Sequence, residues 1–141
     1  MGHQTGKRQA IGMEKSPYLP GKCNIDKKEA NKRYTFGAIS FLIAGLFTAL
    51  VVFLKVSSLW EAIVFVPILA GFIGFYQGRL RFCVRNAKIG QYEFPSLGIS
   101  GKVSSLKDHV IDLSRSRQIF LYSFFSSILV TVILLLAVMY L

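Results

Sequence analysis

Three apolar blocks divide the chain, at residues 35–54, 59–78 and 119–141, and no lysine or arginine falls inside any of them. The first, Thr35 to Leu54, is uncharged throughout. At about 1.5 Å per residue, 20 helical residues cover roughly the 30 Å of a bilayer's hydrocarbon. The pattern predicts a transmembrane helix. Just ahead of it, Asp26-x-x-Glu29 has the spacing of a capping box, with acids where the helix dipole favours them. One continuous helix from Asp26 through Leu54 is therefore expected, its first two turns in water or among headgroups.

Lys55–Ser58 leaves four residues for the connection, so the next helix must return antiparallel. Leu59 to Gly78 is that helix. Trp60 and Glu61 stand near its start, where an amphipathic ring and a carboxylate sit cheaply at an interface. Pro67, near the middle, removes a backbone donor and predicts a kink. Ile119 to Leu141 is the third span. The intervening stretch, 79–118, has turn signals at Pro95-Ser96, Gly98 and Gly101. Ser105-x-x-Asp108 repeats the capping pattern, and Leu106, Val110 and Leu113 follow at helical spacing. That predicts a short amphipathic helix over about Ser105–Arg117, lying on the membrane surface or running on into the last span.

The expected fold class is an all-α membrane protein: three transmembrane helices, the first two an antiparallel hairpin, and a basic cytoplasmic loop with one amphipathic helix. Residues 26–141 form a single membrane domain. Residues 1–25 carry Gly, Pro and Lys without a period and read as a flexible tail, with Met13 a plausible alternative start. No cleavage site follows an apolar run there, so no signal peptide is expected.

Composition agrees with this partition. A chain that is 52 % hydrophobic with a net charge of +10 and a mean hydropathy of +0.48 lacks the size to hide so much apolar surface as a soluble protein. The seventeen basic residues fall eight before the first span, one (Lys55) in the first connection, and eight between the second and third spans. By the positive-inside rule, the N-terminus and the 79–118 loop are cytoplasmic and the C-terminus is outside, in an inner (plasma) membrane. Anionic headgroups account for the charge more simply than nucleic acid does, with Lys32, Arg33, Arg79, Arg81 and Arg85 as the contacts.

In lipid, small residues four apart mark where helices approach closely. Each span has such a row: Ser40, Ala44 and Thr48; Ala70, Gly74 and Gly78; Ser123, Ser127 and Thr131. They pack the three helices against each other, or against a second copy or a larger membrane protein.

Chemistry is sparse. Glu61 is the one ionisable residue inside an apolar block, one turn from the edge, where it reads as an interface carboxylate. No G-x-S-x-G, phosphate loop or dinucleotide fingerprint occurs, and the sequence does not read as an enzyme. No cofactor or metal site is expected. Cys23 and Cys83 flank the first two spans and reach the same membrane face, so a thiol pair is geometrically open to them, although two unrelated reduced cysteines at an interface are the favoured reading. Cys23-Asn24-Ile25 ahead of the first helix, with Gln77, Arg79, Phe82 and Cys83 after the second, resembles small uncharacterised bacterial multi-span membrane proteins. The resemblance implies no activity, only that the cysteine-bearing face matters. Two functional readings follow. One is an accessory subunit or oligomeric scaffold acting by helix–helix or surface contacts. The other is a channel or transport component assembled from several copies.

Overall fold

The computed structural model describes residues 17–141. Three helical stretches, Lys27–Phe53, Ser58–Leu80 and Leu106–Tyr140, are long and apolar enough to cross a membrane. The first is helix α1 (Lys27–Phe53), with Asp26 as its N-cap accepting from the Glu29 N–H at 2.8 Å. The local capping signal is realised.

The second stretch is built differently from the expected helix. Ser58–Val64 is a 3₁₀ segment, and α2 (Phe65–Leu80) starts only after it. Pro67 is thus the third residue of an α-helix rather than the middle of one. The first turn of an α-helix is where proline is best tolerated. A change of helix type stands just ahead of Pro67, between Val64 and Phe65. Burial over the segment has period three: Glu61 and Val64 are fully buried, while Leu59, Trp60, Ala62 and Ile63 are exposed. That is the signature of 3₁₀ geometry, in which residues three apart eclipse.

Beyond α2 the chain forms α3 (Val84–Ile89) and a hairpin of β1 (Gln91–Phe94) and β2 (Ile99–Lys102), paired antiparallel from Gln91–Lys102 to Phe94–Ile99. The two short strands depart from the all-α expectation. Gly90 closes α3 in the left-handed region (φ 67°), and the Pro95–Leu97 turn ends on Gly98 (φ 65°), so the signals at Pro95-Ser96 and Gly98 mark the turn, while Gly101 lies inside β2. Helix α4 (Leu106–Tyr140) then runs unbroken, its first turn capped by Ser105. The amphipathic segment is the beginning of the third membrane-length helix, not a separate one.

Helices α1 and α2 meet backbone to backbone. A Cβ placed on Gly74 would lie 2.8 Å from the Arg33 carbonyl oxygen and 2.9 Å from the Gly37 nitrogen. One on Gly78 would strike the Tyr34 ring at 2.9 Å, and one on Gly71 the Phe41 ring at 2.6 Å. The second helix's small row is therefore occupied by α1 of the same chain. Helix α4 closes the bundle against α2 and the 3₁₀ segment, with Tyr76 and Ser126 hydroxyls 3.1 Å apart and Phe65 edge-on to Phe124. Val64, Ile68 and Ala44 form the buried centre, packed by Phe41, Phe47, Phe72, Val130 and Leu134.

Gly74→Leu should separate α1 from α2 and cost at least about 1–3 kcal/mol by overpacking. Thermal unfolding in detergent measures this. Gly45→Leu is the control, because nothing lies within 4 Å of a Cβ there and its unfolding temperature should not move.

Candidate functional site

The bundle has a basic end, where α1 begins and α2 leaves for α3, and a hairpin end, where α1 turns into the 3₁₀ segment and α4 finishes. At the basic end the tail expected over 1–25 is a built strap across residues 17–25; residues 1–16 lie outside the described residues. Asn24 is its hub, fully buried with each backbone and side-chain group engaged. Its amide Nδ2 donates to the Cys83 carbonyl at 3.0 Å, and its Oδ1 accepts from the Cys83 N–H at 2.6 Å. Its own N–H, with that of Ile25, donates to the Arg81 carbonyl, and its carbonyl accepts from the Glu93 N–H at 2.9 Å. Arg81 adopts the left-handed conformation (φ 49°) that caps α2 and aims this carbonyl at the strap.

Two carboxylates complete the platform. Asp26 caps α1 with one oxygen and accepts from the Ser96 N–H with the other at 2.7 Å, tying the hairpin turn to the first helix. Asp112 of α4, fully buried, accepts from the Tyr18 hydroxyl and from the Gly21 N–H, both at 2.7 Å. Tyr18 also stacks on Tyr92 at 5.0 Å. Burial, and then the Asp112 carboxylate, push the Tyr18 phenol above its ordinary value, so it stays a donor. For Asp26, burial disfavours the charge, but the Ser96 and Glu29 N–H groups and the Lys28 charge outweigh it and hold the carboxyl below its usual value.

The cysteines do not pair. Cys83 is fully buried and its Sγ accepts from Arg33 Nη2 at 3.3 Å, while Cys23 Sγ donates to the Ile25 carbonyl at 3.4 Å. Both are free thiols with separate partners. Burial, only partly offset by the Ile25 contact and the Arg81 charge, pushes the Cys23 thiol up, away from a reactive thiolate. Arg33, expected at headgroups, is half-buried and engaged with Cys83; Lys32, Arg79, Arg81 and Arg85 remain exposed. Lys32 also pairs with Glu29 at 2.6 Å.

Within the bundle, the small rows of α1 and α4 are polar groups turned inward. Ser40, Ser123 and Ser127 are buried, and each hydroxyl donates to the carbonyl four residues earlier. Ala44 is buried, Ala70 half-buried, and Thr48 reaches across to another element. Its Oγ1 donates to Glu61 Oε1 at 2.5 Å. Glu61 has no exposed surface at all. Expected as an interface carboxylate, it is enclosed among the helices of the chain itself. Thr48 lies 13 residues into the first apolar block and six short of its end, so the carboxylate's partner stands within the apolar stretch. Glu61 Oε2 and Thr131 Oγ1 are buried without a hydrogen-bond partner. Sequence reasoning missed the enclosure of Glu61 because it judged the residue by its distance from the end of the apolar block, one turn, and not by what packs around it. The signal was its position, the one ionisable residue inside a span.

Compared with family models, curated proteins and solved structures, the chain matches none.

Asn24→Ala would strand the buried Cys83 N–H and carbonyl, each costing about 1–3 kcal/mol. Amide exchange at residues 83–87 should accelerate strongly. For Asp26, a depressed folded value means stabilisation that is complete above the unfolded carboxyl's value of about 4 and is lost as pH falls through the folded value. Unfolding temperature should therefore drop in that acid range, and Asp26→Asn should flatten the profile there.

Proposed function

We propose that this is a small integral membrane protein that acts by binding, with the basic-end platform as its contact surface. It serves a larger membrane protein, or a second copy, as an accessory subunit or scaffold. The observation that carries this reading is the Asn24 hub: a segment leading into a first span needs no fully buried, fully bonded polar centre merely to enter it. Four exposed cations, Arg79, Arg81, Arg85 and Lys88, surround a shape fixed by the strap, α3 and the hairpin. The glycine row, in contrast, is consumed within the chain and offers less to a partner.

The basic end faces the cytoplasm of a plasma membrane, by the asymmetry of eight, one and eight basic residues. Exposed Lys32, Arg79, Arg81 and Arg85 lie where anionic headgroups would meet them. Lys55→Cys should react with an impermeant thiol reagent from outside intact cells, and Arg85→Cys should not. The reverse result would invert the orientation. The native thiols interfere little, Cys83 being buried and Cys23 half-buried.

Native mass measurement of the protein in mild detergent tests the binding role. A homodimer or a stoichiometric membrane-protein partner, lost on combined charge reversal at Arg79, Arg81 and Arg85, is the expected result. A lone monomer, unaffected by that reversal, would remove the reading. A second reading, a transport component, is favoured by one observation only, the buried Glu61 at membrane depth.

A further inference from the structure

We propose that Glu61, Thr48 and Thr131 form an intramembrane site for a small monovalent cation of the sodium class, reached from the hairpin end. The inference is independent of the platform's binding role.

The first ground is charge. A carboxylate enclosed by apolar side chains is costly unless a positive charge meets it. Among the described residues no lysine or arginine does, because the one ion pair is Lys32 with Glu29 at the other end. A partner protein's cation cannot reach a residue with no exposed surface.

The second ground is the oxygen set. Thr48 spends its hydrogen on Oε1, which leaves its own lone pairs free. Oε2 of Glu61 and Oγ1 of Thr131 have no partner. Thr131 does not make the back-bond to its own helix that Ser123 and Ser127 make. The 3₁₀ segment that carries Glu61 packs on both α1 and α4, the helices of Thr48 and Thr131. Val130 and Leu134, which flank Thr131, pack on the Ala44–Val64–Ile68 centre, three residues from Glu61 and one turn from Thr48. Helices α1 and α4 run in the same direction, and Thr131 is 12 residues past Ile119, about 18 Å along, at the depth of Thr48. Carboxylate and hydroxyl oxygens are hard ligands, which select hard cations. One negative charge balances one positive charge, whereas a divalent ion would leave an uncompensated charge in a dry site.

The third ground is access. At the hairpin end α1 and α4 part to leave a groove of about 650 Å³, lined by Val51, Val52, Lys55, Ser58, Val138 and Met139 among others. Val51 lies one turn beyond Thr48 on α1, and Val138 two turns beyond Thr131 on α4, so the groove lies on the hairpin-end side of the residues that carry these oxygens.

Thermal unfolding of the purified full chain in detergent, in NaCl, KCl or choline chloride at constant ionic strength, tests the site. Sodium should raise the unfolding temperature saturably by about 5 °C, choline should not, and Glu61→Gln should abolish the response. Thr131→Val should weaken apparent sodium affinity several-fold. If a variant fails to fold, calorimetric titration of wild type with NaCl decides alone, and absence of saturable heat overturns the proposal. An infrared carboxylic-acid band lost in Glu61→Gln and unchanged by sodium would show a proton in the cation's place, and would overturn it equally.

Discussion

The approach of Gly37 to Gly74 is the constraint on which the rest depends. With 2.9 Å between the Gly37 nitrogen and the place a Cβ would take on Gly74, neither position has room for a side chain. In lipid there is little hydrophobic drive between helices, so the gain comes from dispersion and backbone contact over the full crossing. That contact fixes the separation of α1 and α2 at both ends. Toward the hairpin it brings Thr48 within reach of Glu61. Toward the basic end it sets Arg33 against Cys83 and the start of α1 against the end of α2, where Asn24 bridges them.

The two ends solve opposite problems with the same chemistry. At the basic end, buried Asn24, Asp26 and Asp112 are each met by backbone N–H groups, so polar burial is compensated and the connecting segments gain a single arrangement. Inside the bundle Ser40, Ser123 and Ser127 satisfy themselves through their own helices. Glu61 Oε2 and Thr131 Oγ1 do not, nor does the buried Ser116 hydroxyl earlier in α4. Of these three, only Glu61 is ionisable, which is what sets it apart.

How much of this was legible depended on the range of the determining interaction. The spans follow from twenty-residue stretches without charge, and the caps at Asp26 and Ser105 from side chains three residues from their partners. Both are local and were readable. The platform rests on bonds between residues 59, 70 and 91 apart, such as Asn24 to Cys83, Asp26 to Ser96 and Gly21 to Asp112, and no periodicity reports them. Gly37 escaped because it lies off the Ser40–Ala44–Thr48 row, and Phe41, four residues on, interrupts any row through it. The 3₁₀ segment escaped because Ser58–Val64 has the composition of an ordinary helix. Its period-three burial exists only once α1 and α4 are in place.

The short connection between Phe53 and Ser58 also bears on how the protein enters its membrane. Thr48 precedes Glu61 by only 13 residues, so the carboxylate's hydrogen-bond donor lies within the same hairpin and is synthesised just before it. The two helices can be inserted as one unit with the acid already solvated by a hydroxyl, which lowers the penalty a lone second span would meet at the translocon. Thr131 arrives later, with α4, so the polar site is finished only when the third helix docks.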